Sequence, residues 1–272
     1  MHAQHSAPTP DLRIIPVQHL HPHEEHDSQR SAPLVEALRQ AEVLVNPPIV
    51  TPLSDEAYVI LDGANRCTAF AQLGYPHMLA QVAHYDSGQV ELDVWHHIIS
   101  RWDTEALLAH IDAIPDVALV SGHQSEALLH LMLRDERTVA IMTKADDMVL
   151  RNALLRQIVS SYQQNAVLDR TAINQPHLVL PLYPEAVALA VFPRYAPVDI
   201  LNAAQSHAYL PPGISRHIIQ GRAVQVKYPL DVLRDITTTL DEQNTQLQEW
   251  VQRKFARRQV RYYAEATYQF DE

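Results

Sequence analysis

The stretch Val59-Ile60-Leu61-Asp62-Gly63-Ala64-Asn65-Arg66-Cys67-Thr68-Ala69-Phe70 decides how the chain is read. An apolar run ends on an acid and a glycine, and helix-spaced residues follow at once. The pattern predicts a strand over Tyr58–Leu61, a tight turn, and a helix through Leu73 that Gly74 closes, with Pro76 beyond it. A glycine directly after a buried strand lets the backbone approach a ligand closely. A helix start presents N–H groups and a partial positive charge, both suited to phosphate oxygens. Arg66 adds a planar donor fork, and Asp62 can bind a magnesium ion or a polar ligand edge. The same residues also suit an ordinary helix start with a surface arginine, and local physics alone leaves both readings open.

Working outward, Leu12–Val17 reads as a strand and His19–Asp27 as a His-rich turn. A helix is expected over Pro33–Glu42, capped by Ser31 and broken by Asn46-Pro47-Pro48 before a strand at Ile49–Thr51. Met78–Val82 and Val90–Trp95 are further strand candidates. The first hundred residues thus read as a small α/β unit, with a boundary near Ser100–Asp103. Beyond it, Asp103 and Thr104 can cap a helix through Ile114. A hairpin is expected over Ala127–Leu133 and Thr138–Met142, a helix over Ala145–Gln164 and a strand over Val187–Phe192. An irregular loop at Leu210–His217, a strand at Ala223–Tyr228, one long helix over Leu230–Phe255 and a polar tail complete the reading.

Composition narrows the function classes. Of 272 residues, 47% are hydrophobic and 19% charged, the profile of a packed globular chain. A lone cysteine, Cys67, permits no internal disulfide and points to a reducing cytoplasmic setting. Met1–Pro10 lacks the apolar core of a signal peptide, and no apolar run reaches the roughly 18 residues of a membrane span. The net charge of −11 opposes general binding to a phosphate backbone. Neither GxGxxG nor GxxxxGK[ST] occurs, which argues against Rossmann and P-loop nucleotide sites.

Other stretches carry chemistry with competing readings. In Leu20-His21-Pro22-His23-Glu24-Glu25-His26-Asp27, Glu24 is a candidate base for a hydroxyl proton. Metal binding and a solvated acidic turn are its rivals, although the spacing fits no HExxH pattern. Gly213-Ile214-Ser215-Arg216-His217 can receive an anionic group or simply connect two elements. Trp95 suits a core position or a pocket wall. Arg253, Lys254, Arg257, Arg258 and Arg261 read as a solvated helix face, with DNA contact as the alternative. Sixteen histidines offer possible haem ligands, as they would in any chain of this composition.

The order Leu20-x-Pro22-His23-Glu24-Glu25, then a helix, Asn46-Pro47-Pro48-Ile49-Val50 and Val59 through Arg66 resembles the free L-serine kinases of the ParB/sulfiredoxin-like fold. The resemblance is densest over Leu12–Trp95 and recurs around Leu210–His217. It implies an α/β (α+β) protein with a ParB/sulfiredoxin-like nucleotide-binding domain over 1–100. A second mixed α/β domain over 101–272 would complete the serine pocket. The implied activity is phosphorylation of free L-serine to O-phospho-L-serine, with Mg²⁺ and ATP or ADP as phosphoryl donor. By the same resemblance Glu24 is the catalytic base, and Asp62, Gly63, Ala64, Asn65 and Arg66 form the nucleotide-phosphate and magnesium motif. Trp95 falls in the serine pocket, and Ser215 and His217 match contacts to phosphoserine. A lysine of the family falls on Gly213, a departure from the pattern.

Two other activities share this fold. Sulfiredoxin chemistry needs a thiolate at the slot held here by Ala64, and Cys67 lies beyond the arginine. The alternative to a kinase is a ParB-like, ligand-responsive DNA-binding regulator that senses a nucleotide in the same pocket. Neither a helix-turn-helix nor the charge favours it.

Overall fold

Leu12, Ile14 and Ile15 turn inward from strand β1 (Asp11–Pro16) and begin the core of the first of two compact units. The computed structural model describes residues 9–26 and 28–263. Most of the polar N-terminus, Asp27 at the end of the His-rich turn, and the last part of the polar tail (264–272) lie outside the described residues.

The first unit runs through Pro22, resumes over His26–Glu91 and takes in the chain from Ile218 onward. β2 (Leu20–Pro22), helix α1 (Ser28–Gln40), β3 (Ile49–Pro52), β4 (Tyr58–Asp62), α2 (Ala64–Gln72) and β5 (His77–Val82) follow β1. The strands form a five-stranded sheet in the order β1-β5-β3-β4-β2. β2–β4 and β3–β5 are parallel, while β1–β5 and β3–β4 are antiparallel. Val59, Ile60 and Leu61 are buried, and Phe70 and Ala69 of α2 reach full burial. These side chains fix the strand–turn–helix read from the sequence.

Helix α1 starts earlier than expected, with Pro33 inside it rather than at its first turn, and Ser31 is a buried helix residue instead of the cap. A proline costs an interior helix one hydrogen bond. Packing of Leu34, Val35 and Leu38 against the core outweighs that loss.

The second unit comprises His23–Glu25 and Leu92–His217. Its elements are β6 (His96–Ser100), α3 (Thr104–Asp112), β7 (Val117–Ser121), β8 (Leu129–Leu133), β9 (Thr138–Thr143), α4 (Met148–Gln163), β10 (Val167–Thr171), β11 (Ala186–Val191) and α5 (Pro197–Gln205). Six of them build an antiparallel sheet in the order β10-β6-β11-β8-β9-β7. Asp103 and Asp147 cap α3 and α4 by accepting the N–H groups of Ala106 and Val149.

The sequence reading placed a single boundary near Ser100–Asp103, whereas the chain passes between units at Glu91/Leu92 and again at His217/Ile218. The reason is the return of the C-terminal segment to the first core. Leu230, Leu233, Leu247 and Val251 bury themselves there, and α6 (Leu240–Ala256) packs on β1. Asn244 of α6 exchanges hydrogen bonds with the backbone of Ile14.

The expected long helix is broken. A short helix ends at Arg234, and Asp235 accepts from the hydroxyls of Thr237 and Thr238 before Thr239 and Glu242 cap α6 reciprocally. The expected loop at Leu210–His217 already enters a strand at Ser215–Ile219, and Ala223–Tyr228 is strand only at its last residue. Arg253 of the basic run pairs with Glu249, and Lys254 lies over the Trp250 ring. Among the described residues, no helix is long and apolar enough to cross a membrane.

His97, buried on β6, has its Nδ1 2.8 Å from the Tyr162 hydroxyl and its ring edge-on to Phe192. Burial, with the Arg170 charge second, pushes its pKa down to about 3. The unfolded chain therefore binds a proton below pH ~6.5 that the folded chain refuses. Stability fully present above that pH is lost as pH falls toward 3, at up to about 1.4 kcal/mol per pH unit. Urea unfolding between pH 7 and 4 is expected to show a slope shallower by that amount in His97→Gln than in the parent. Equal slopes would place the acid sensitivity elsewhere.

Candidate active site

In the first unit the phosphate-cradle candidates sit together because β4 ends where α2 begins. Gly63 adopts φ +92°, the left-handed region that favours glycine. Its carbonyl accepts the N–H groups of Arg66 and Cys67, and no side chain caps the helix start. A β-carbon at this position would stand 2.9 Å from Pro48 Cβ and 3.2 Å from Arg66 Nη1. The glycine thus brings the turn onto Pro48 and leaves room for the guanidinium. Asp62, Ala64, Asn65 and Arg66 are all partly accessible around the turn.

Asp62 is ion-paired with Arg222, a residue the sequence reading passed over. Gln81 explains how Arg222 is aimed. Buried on β5, it donates to Gly221 O and accepts from Ala223 N–H, holding the three-residue bend between them. Among the described residues, no group of three or more histidine, cysteine or acidic side chains is placed to hold a metal ion. Magnesium that travels with nucleotide phosphates needs one or two carboxylates and no full protein cage. Asp62, a single half-exposed carboxylate beside the candidate phosphate turn, fits that requirement.

Cys67 faces the core and burial pushes its thiol up to about 12. Such burial favours the neutral thiol over the nucleophilic thiolate.

The second unit gathers Glu24, Ser215 and His217. Glu24 forms an isolated parallel bridge with Leu210, flanked by Leu210 N–H to His23 O and Glu25 N–H to Leu210 O. Its Oε2 accepts from Gly213 N–H at 2.6 Å, and its Oε1 from Ser215 N–H at 2.6 Å and Ser215 Oγ at 2.5 Å. An ionised carboxylate offers about four lone-pair sites, so three donors leave one open, on Oε2. Ser215 spends its hydroxyl proton on Glu24 and so accepts from His23 Nε2, 2.7 Å away. The His217 ring stands edge-on to His23 at 5.5 Å.

The turn carrying Glu24 is held from outside by Glu25, whose carboxylate meets Arg156 of α4 at 2.8 Å. Trp95 N–H donates to Ile214 O, and the Trp95 ring lies under the Arg216 guanidinium at 4.6 Å. Arg216 also pairs with Asp93 at 3.1 Å, so its charge is compensated. Near Glu24, the Tyr195 hydroxyl is buried with no hydrogen-bond partner among the described residues. Burial first, and the Glu24 charge second, push its pKa up. His23, Tyr195, Arg222 and Gln81 are the contributors that sequence reasoning missed. The adjacency of His23 to Glu24 was the one available signal.

Comparison with known proteins bears on the whole chain. No known family's sequence profile matches it. It is 24% identical over 266 residues to the ATP-dependent L-serine kinase SbnI of Staphylococcus aureus, covering 94% of this chain and 96% of that protein. An ATP-dependent L-serine kinase of Staphylothermus marinus is 36% identical over 87 residues, 32% of this chain and 34% of that one. The structure of SbnI with a C-terminal truncation superposes with a TM-score of 0.72 at 19% identity, covering 90% of this chain and 96% of that one. A free serine kinase in complex with AMP gives 0.71 at 13% identity, covering 83% and 95%.

The chain has the free serine kinase fold.

The fold class expected from the sequence is thereby borne out, as is the resemblance to the serine kinases.

Proposed function

We propose that the chain phosphorylates free L-serine, with ATP as donor and Mg²⁺ accompanying the nucleotide. The observation that supports this most is a similarity to an ATP-dependent L-serine kinase along nearly the full length of both chains. The site chemistry agrees with it. The turn Gly63–Arg66 offers a helix start and a guanidinium to phosphates, and Glu24 keeps one acceptor site for a hydroxyl.

In this reading serine sits near Trp95 with its hydroxyl donating to the open site on Glu24 Oε2. The serine oxygen forms a bond to the γ-phosphorus while the bond from that phosphorus to the bridging oxygen breaks, and ADP leaves with the electron pair. The serine proton passes to Glu24. Ser215 and His23 keep Glu24 from turning away, since Oε1 is already held. His217 stands beside them to meet the product phosphate. Magnesium, when bound through Asp62 and the phosphates, supplies charge neutralisation. Catalysis rests on positioning and charge, as phosphoryl transfer generally does.

³¹P NMR of the protein with L-serine, Mg²⁺ and ATP is expected to show an O-phosphoserine resonance growing as ADP accumulates. No such signal with either ATP or ADP as donor would defeat the proposal.

A further inference from the structure

Arg222 reaches Asp62 from 160 positions away in the sequence, within the same compact unit. Buried contacts deliver it there. The Gln81 side chain, on β5, donates to Gly221 O at 3.1 Å and accepts from Ala223 N–H at 2.8 Å. Those two groups belong to the peptide bonds on either side of Arg222, so both are fixed by one buried amide. The backbone N–H of Gln81 donates to Pro48 O at 2.9 Å, and Pro48 is the residue on which Gly63 packs. Further along, Asn46 Oδ1 accepts Gln225 N–H at 2.9 Å and Val45 O accepts Val226 N–H at 2.8 Å. One frame, Val45–Pro48 with Gln81, therefore holds both the Gly63 turn and the bend that presents Arg222.

The ion pair does not by itself account for that frame. Its side chains are 36% and 43% exposed, and a pair so accessible contributes little to stability. It is also easily exchanged for a stronger one. Phosphate oxygens are such a partner, because a guanidinium fork holds two of them at once. Charge runs the same way. An uncompensated Asp62 carboxylate repels a polyphosphate approaching Gly63–Arg66, and Arg222 cancels that repulsion. Once phosphates hold the guanidinium, the carboxylate is released beside them, where magnesium takes one or two carboxylates together with phosphate oxygens.

We propose that Arg222 is a nucleotide-phosphate ligand that exchanges partners on binding: its guanidinium leaves Asp62 for the phosphate oxygens, and the freed carboxylate meets the accompanying magnesium. The inference rests on the nucleotide-binding part of the kinase reading and deepens it.

The test titrates ATP calorimetrically into the parent, Arg222→Ala, Arg222→Lys and Asp62→Asn, in EDTA and again in Mg²⁺. In EDTA, Arg222→Ala is expected to bind ATP about 10- to 100-fold more weakly than the parent. Arg222→Lys, which keeps the charge and loses the fork, is expected to fall between. Asp62→Asn is expected to bind as tightly as the parent or up to about tenfold more tightly, because the repelling charge is gone. In Mg²⁺ the parent is expected to gain affinity, and Asp62→Asn to lose most of that gain. Thermal melts of the four proteins check that the fold is retained. Equal losses in Arg222→Ala and Asp62→Asn in EDTA would make the pair a purely structural contact and overturn the proposal. So would Arg222→Ala binding within about threefold of the parent in both buffers. A parent that binds no ATP in either buffer removes the nucleotide reading and this inference with it, a result seen before any variant is compared.

Discussion

Glu24→Gln is expected to lower kcat for phosphoserine formation by about 100- to 10,000-fold, the range over which a positioned proton acceptor contributes. The amide is nearly isosteric, so the loss is chemical rather than steric. Glutamine presents one oxygen and one NH₂ where the loop supplies donors to both ends. If the oxygen takes the Ser215 end, the NH₂ confronts Gly213 N–H; reversed, it confronts Ser215 N–H. Either way a donor–donor clash replaces a hydrogen bond, and the amide cannot take up the serine proton. ATP affinity is expected to stay within about threefold, because the phosphate motif belongs to the other unit. Steady-state kinetics with a parallel ATP titration reads both quantities. Full activity in the variant would make Glu24 a structural clamp and not the proton acceptor.

Gly63→Ala is expected to act on the opposite parameter, raising KM for ATP by about tenfold or more while destabilising the fold by about 1–3 kcal/mol. The backbone there sits at φ +92°, and the new methyl would meet Pro48 and the Arg66 guanidinium at once. Gly74→Ala is the matched control. It shares a left-handed backbone, φ +71°, but a β-carbon there meets nothing within 4 Å. Chemical unfolding is expected to cost Gly74→Ala only its conformational strain, with KM for ATP unchanged. Equal KM effects in the two variants would show that the turn at Gly63 is not shaped by close approach.

The two variants also show what could be read from the sequence. Strand β4, Gly63 and α2 were legible because an apolar run, a glycine and a helical repeat are local signals, each satisfied within a dozen residues. The Glu24 cluster was legible only in part. Glu24 and Ser215 are 191 positions apart, and the hydrogen bonds joining them follow from a chain that visits the second unit with just His23–Glu25 before returning to the first. No periodicity announces such an excursion.

β10 was invisible for a different reason. Val167-Leu-Asp-Arg-Thr171 is an edge strand with little burial, so it lacks the apolar alternation by which strands are recognised. Helix α5 carries local signals. Pro197 opens it, and Asp199 accepts the Ala196 N–H at 2.7 Å. The extension of one helix over Leu230–Phe255 failed because Asp235 prefers the nearby threonine hydroxyls to a helical turn.

A structure with L-serine, Mg²⁺ and a non-hydrolysable ATP analogue bound measures the assignment of both ends most directly. The account expects the analogue's phosphates on the backbone N–H groups and guanidinium of Gly63–Arg66, and the serine hydroxyl within about 3 Å of Glu24 Oε2. Phosphates bound away from that turn, or a serine hydroxyl out of reach of Glu24, would contradict it.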